Sequence, residues 1–247
     1  MPNSSYMFRN FLLGLLTVGL LTGSTCDPQI MNDVLNTVLE STVTEQEVAN
    51  GLMEALVQGA TNGSDLLSKV NGYLGNPQVK IPFPPEAQKI ESTLRDLGMN
   101  KMCDDVINSL NRAAENAAIE AKPILINSIR SMTITDAMDI LFGANDAATE
   151  YLKKTTTTQL TDKFSPIIES SLNKVGATKY WTDAVNYYNK IPLVADLNPD
   201  LEAYVTAKAL EGLFYMVEQE ELKIRQDPAA RAAEIVQKVF GYYDANK

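Results

Sequence analysis

Between Leu201 and Gln226 apolar side chains stand at positions 201, 205, 209, 210, 213, 214 and 217. This i, i+3, i+4, i+7 spacing lines one face of an α-helix. Glu202, Glu211, Glu218, Glu220 and Lys223 are left for the other faces. No alternating apolar and polar run of strand length is found along the chain, so the period confines it to an all-α fold. Helices are expected over Ile30–Glu40, Glu45–Val57, Ser64–Gly72, Glu86–Leu97, Cys103–Ser131, Ile134–Leu141, Asn145–Lys154, Thr157–Val175, Thr178–Lys190, Leu201–Gln226 and Ala229–Tyr243. The chain has 247 residues; the expectation is a signal peptide at 1–25, a partly helical segment at 26–44, and a single multi-helix domain of roughly ten helices at 45–247.

Several boundaries carry their own punctuation. Thr44 followed by Glu47 has the form of a capping box, and Thr133 with Asp136 repeats it with the shorter acid. Pro82, Pro84 and Pro85 predict an extended connector between the first helices and the rest. Pro123 inside a helical stretch predicts either a kink or two helices meeting near Lys122. Asp200 stands ready to start a helix, and Asp227 with Pro228 supplies an N-cap and a first helical position. Ser165 before Pro166 is a candidate start of a further helix, and Thr155 to Thr158 read as a short polar joint.

At the amino terminus Arg9 is followed by the apolar run Phe11 to Leu21 and then by Thr22, Gly23, Ser24 and Thr25, which is the layout of a signal peptide. Eleven helical residues reach only about 16 Å, too short for a bilayer core of about 30 Å. Cys26 stands where a bacterial lipoprotein places its acylated cysteine, although Gly23 and Thr25 depart from the usual residues before it. Two readings stand: lipidation and membrane attachment at Cys26, or ordinary cleavage near Ser24 or Thr25. Under the first, Cys103 has no partner in the chain; under the second, a Cys26–Cys103 bridge is open to it. Both place the protein outside the cytoplasm, in the periplasm or cell envelope.

The composition excludes whole classes of chemistry. The chain has no histidine, which removes Ser-His and Cys-His nucleophiles, histidine bases and histidine-ligated metals. A net charge of −10 repels nucleic acid. Asp104 and Asp105 point about 100° apart on a helix and lack EF-hand spacing, so no metal site is expected. The glycines form no nucleotide-binding loop, and no cofactor is expected.

Residues spread from Gly51 to Gly241 carry a likeness to a known family. They include Gly51-Leu52, Glu54-Ala55-Leu56, Gly72-Tyr73, Val79-Lys80-Ile81-Pro82, Asn111-Arg112-Ala113-Ala114-Glu115 and Ala121-Lys122-Pro123. Further on come Met132-Thr133-Ile134-Thr135-Asp136-Ala137, Ala147-Ala148-Thr149 with Tyr151, Lys208-Ala209-Leu210, Gly212-Leu213-Phe214, Glu221, Ile224-Arg225, Pro228 to Arg231 and Val239-Phe240-Gly241. In these the chain resembles the DUF4197 family of exported bacterial proteins. The resemblance implies a helical exported domain and transfers no catalytic residue.

The candidate ligand or structural network is Arg112, Glu115, Asp136, Tyr151, Lys208, Glu221, Arg225 and Arg231. Arg112 and Glu115 share one helix face beside Ala113, Ala114, Ala117 and Ala118, which make that helix slim enough for close packing. They read either as a pocket pair, with Glu115 as base or Arg112 as anion clamp, or as an ion pair tied to the carboxy-terminal helices. Asp136 reads first as a cap. Glu218 to Arg225 reads as a solvated face with Glu221 pairing to Arg225. Tyr180, Trp181, Tyr187 and Tyr188 form aromatic stripes suited to a core or to a ligand or partner surface. Three functions follow: a non-enzymatic envelope protein binding a hydrophobic ligand or lipid between helices, an adaptor binding another envelope protein, and a carboxylate-dependent enzyme. A continuous apolar cavity of roughly several hundred Å3 favours the first and a filled core with an exposed aromatic patch the second.

Overall fold

The structure is a computed structural model in which residues 43–174, 176, 178, 181–182 and 200–246 are described. Eight α-helices and no strand occur among them: α1 Glu45–Leu67, α2 Gln88–Asp96, α3 Asn100–Ala118, α4 Ala121–Arg130, α5 Ile134–Leu141, α6 Ala147–Lys174, α7 Leu201–Gln226 and α8 Glu234–Asn246. Short 3₁₀ turns at Pro85–Ala87 and Pro228–Ala230 precede α2 and α8. The all-α expectation holds, with eight helices among the described residues against the roughly ten expected for the whole domain. The expected helix Ile30–Glu40, Cys26, and Tyr180, Tyr187 and Tyr188 lie outside the described residues, as does most of Thr178–Lys190.

α1 is a central element, packed against α4, α5, α7 and α8. Its start is the expected capping box, with the Glu47 amide donating to the Thr44 hydroxyl at 3.2 Å and the Thr44 amide to the Glu47 carboxylate at 2.9 Å. Gly51, Ala55, Gly59 and Gly63, spaced four apart, form a seam of small residues that lets neighbouring helices approach. A Cβ at Gly51 would stand 2.5 Å from Val239 Cγ2 and 2.9 Å from the Ile235 carbonyl oxygen. Gly51→Ala is therefore expected to lower the melting temperature, because overpacking of about 1 to 3 kcal/mol exceeds the roughly 1 kcal/mol of helix propensity gained. Gly241 in α8 meets nothing within 4 Å, so Gly241→Ala is expected to raise it. Thermal melts of the two variants check both signs.

The separately expected helices Glu45–Val57 and Ser64–Gly72 are replaced by α1 and a turn-rich segment over 68–76. α1 ends at Leu67 with Ser68 as its C-cap, and Asn71 at φ 68° turns the chain away from a helical path, in a left-handed conformation that Asn tolerates better than most residues with a Cβ. The expected helix Cys103–Ser131 divides into α3 and α4 at Ile119 and Glu120, three to four residues before Pro123. The joint expected at Thr155 to Thr158 is absent, and α6 runs straight through it. Thr155, Thr156 and Thr157 donate their hydroxyls to the carbonyls of Tyr151, Leu152 and Lys153 at 2.8, 2.6 and 2.6 Å, so each is satisfied within the helix. Pro166 also lies inside α6 rather than starting a new helix; it faces solvent, where the Asp162 carbonyl it leaves unpaired is beside exposed side chains.

The buried stripe of α6 is Ala148, Leu152, Thr156, Leu160, Phe164, Ile168 and Leu172. A four-residue step advances about 40° around the helix each time. One helix thereby faces α5, α4, α3 and α7 along its length. α7 lies against α6, α1 and α3, which buries more than one of its faces.

Candidate functional site

Charged side chains inside a helical domain need partners, and unfilled helix ends supply them. On α7 the Glu221 carboxylate accepts from the backbone amides of Ala148 and Thr149 at 3.1 and 2.9 Å and from the Thr149 hydroxyl at 2.8 Å. It thus covers the amino-terminal end of α6. One turn on, Arg225 donates to Glu221 through Nε at 3.0 Å and Nη2 at 2.9 Å, and to the carbonyls of Leu141 and Ile140 at 3.1 and 2.9 Å. Those carbonyls belong to the last turn of α5. The acid sits at a positive helix end and the base at a negative one, as the helix dipole favours. The expected Glu221–Arg225 pairing is present, but the solvated face is not: both side chains are 3% exposed. Arg231 acts similarly on α7 itself, donating to the carbonyls of Ile224 and Arg225 at 3.0 and 3.1 Å while pairing with Asp244 at 2.9 Å.

Arg112 and Glu115 pair directly on α3. The Glu115 carboxylate also accepts the backbone amides of Tyr73 and Leu74 at 3.2 and 3.3 Å, and Arg112 donates to the Asn71 side-chain oxygen at 2.8 Å. Their partners are thus on the turn segment after α1, not on the carboxy-terminal helices. Tyr73 is fully buried, and its hydroxyl donates to the Ala209 carbonyl at 2.7 Å. Burial, with the Glu115 charge beside it, pushes the Tyr73 phenol pKa far above its usual value. Asn111 holds the proline connector by donating to the Ile81 carbonyl at 2.8 Å and accepting the Ile81 amide at 2.9 Å. Tyr73 and Asn111, which carry part of the family likeness but stand outside the candidate network, are the anchors of this segment.

Asp136 closes the expected cap of α5, accepting the Thr133 amide at 3.0 Å and the Thr133 hydroxyl at 2.7 Å. Those bonds hold its carboxyl below the ordinary 3.8. A depressed folded-state pKa gives stability that is complete above the unfolded value and is lost as the pH falls through the folded one. Asp136→Ala is therefore expected to melt below the parent at neutral pH and to converge with it in acid; a gap that persists unchanged in acid contradicts the cap assignment. Tyr151, half-buried near Asp136 and Ser128, has its phenol pKa raised chiefly by burial. Lys208 is a half-exposed partner of Glu211 at 2.5 Å. The candidates therefore form separate clusters, not one network.

Between the interior helices the space lined by Leu52, Ala55, Leu56, Glu221, Ile224, Arg225 and Phe240 amounts to about 10 Å3. A larger concavity, about 290 Å3, opens at the surface where α1 ends; Leu66, Leu67, Val70 and Met216 supply its apolar side chains, with Lys69, Asn71 and Asn76 at its polar positions. Leu66 is 45% and Val70 77% exposed. None of these was a candidate in the sequence, though the Asn71-Gly72 pair is a turn signal that marks the spot. Among the described residues no group of three His, Cys, Asp or Glu side chains is placed to hold a metal ion. Cys103 is buried with a free thiol whose pKa burial pushes up. No helix among the described residues is long and apolar enough to cross a membrane.

A family model described as a protein of unknown function (DUF4197) matches residues 42–241. No curated protein and no solved structure matches the chain.

Proposed function

The chain belongs to the DUF4197 family, and on that premise we propose that it acts by binding rather than by catalysis, as an exported cell-envelope protein that takes an apolar ligand or lipid-like chain. The observation that carries the reading is the open concavity of about 290 Å3 with Leu66, Leu67, Val70 and Met216 in its lining. Buried Glu115, Glu221, Arg225 and Arg231 support the non-enzymatic part, because helix ends and turn amides already occupy their hydrogen-bonding groups. On this reading the ligand occupies the surface groove; the space of about 10 Å3 between α1, α7 and α8 is too small for it, and by that measure alone the interior favours the adaptor. Export rests on the order of Arg9, the Phe11 to Leu21 run and the small residues before Cys26.

The neutral dye N-phenyl-1-naphthylamine is expected to bind saturably with one site per chain and to brighten as it leaves water. Leu66→Asp and Val70→Asp should remove the signal while melting like the parent, since both side chains are exposed. No saturable binding, or binding that survives both changes, refutes the groove reading.

The adaptor alternative has an observation of its own. Phe142, 44% exposed, has its ring centroid 6.5 and 5.9 Å from those of Tyr242 and Tyr243. An aromatic cluster at the surface suits a protein partner. Phe142→Ala would then weaken association with that partner without affecting dye binding.

A further inference from the structure

We infer that the groove at the end of α1 selects single-chain amphiphiles with an anionic head, the chemistry of a fatty-acid carboxylate; the inference rests on the groove reading above. Lys69 is the charged side chain in the lining, and no carboxylate shares it. Among the described residues Lys69 has no ion-pair partner. The chain carries a net charge of −10, so a concavity lined by one cation and no carboxylate has a local sign opposite to that of the whole, which draws an anion to it.

Asn71 adds to the same polarity. Its side-chain oxygen is taken by the Arg112 guanidinium at 2.8 Å, so the amide nitrogen is the end left for a ligand, and a nitrogen only donates. The Asn76 amide is used within the protein: its oxygen accepts the Gln78 amide at 3.1 Å and its nitrogen faces the Met216 sulfur at 3.6 Å. A cation and an amide donor thus line the same concavity as apolar side chains, a combination that matches a carboxylate attached to a hydrocarbon chain.

Size narrows the occupant further. About 290 Å3 lies at the small end of ligand sites, enough for one chain of moderate length rather than a two-tailed lipid. A second copy of the protein is a poor fit, since Leu66 and Val70 expose on the order of 200 Å2, well short of the roughly 800 Å2 per partner of stable association.

Displacement of N-phenyl-1-naphthylamine from the full chain by decanoate, 1-decanol and decyltrimethylammonium tests this. Decanoate is expected to compete at roughly five-fold lower concentration than decanol, the scale of one exposed ion pair, and the gap should narrow in high salt. Lys69→Glu should abolish the preference while leaving decanol unchanged and the melt intact. Equal competition by decanoate and decanol, or a preference for the cation, overturns the anion claim and leaves the apolar groove standing. Absence of any saturable dye binding overturns both.

Discussion

Glu221→Ala is expected to destabilise the fold by about 3 to 5 kcal/mol, because it strands the Arg225 guanidinium in the interior. Two further losses accompany it: the Ala148 and Thr149 amides at the head of α6 lose their acceptor. For a domain of this size each kcal/mol moves the midpoint by roughly 2 to 4 °C, so the melting temperature should fall by about 6 to 20 °C. Arg225→Ala is expected to cost a similar amount, since it leaves the Glu221 charge buried and the Ile140 and Leu141 carbonyls without their donor. The double variant should cost much less than the sum, as members of one network do. Single variants melting within about 1 kcal/mol of the parent contradict the assignment, because that is the worth of an exposed pair.

The second large effect is expected at Glu115, 3% exposed. Glu115→Ala leaves the amides of Tyr73 and Leu74 buried or half-buried without an acceptor, a loss of roughly 2 to 4 kcal/mol. Arg112, with its side chain 40% exposed, remains hydrated, so the stranded-charge cost expected at Arg225 is smaller here. Glu115→Gln keeps an oxygen for those amides and should lose clearly less. Hydrogen exchange at Tyr73 and Leu74 should quicken in the alanine variant, because that turn segment is held to α3 through Glu115. Should both variants melt like the parent yet lose dye binding, Glu115 serves the ligand and its structural role falls.

The helical skeleton was legible in the sequence where local chemistry decides. The bounds of α7 follow from its apolar period, and the starts of α1 and α5 follow from the Thr44–Glu47 and Thr133–Asp136 pairs, which need only their own backbone. Continuity was harder to see. Four threonines and a proline predict a break, but the hydroxyls of Thr155, Thr156 and Thr157 found carbonyls one turn back and Pro166 faces water, so tertiary packing of the 148–172 stripe carried α6 through both. The burial of Glu221 and Arg225 was also hidden. A single-stripe pattern sends every charge to solvent, whereas α7 packs against α1, α3 and α6 on more than one face. The partners that make such burial tolerable lie 72 to 85 residues away in the chain. The groove escaped for the opposite reason, since it is made where periodicity stops, at Asn71 and Gly72.

The interior charges hold the helices together, and on the proposed reading an apolar ligand binds away from them, in the groove. Methyl-resolved NMR of the protein titrated with decanoate measures this directly. The account predicts saturable shifts at the methyls of Leu66, Val70 and Met216, with Leu52, Leu56 and Ile224 unmoved. Shifts centred on Leu52, Leu56 and Ile224 would place the ligand between the helices beside Glu221 and Arg225 and would contradict it.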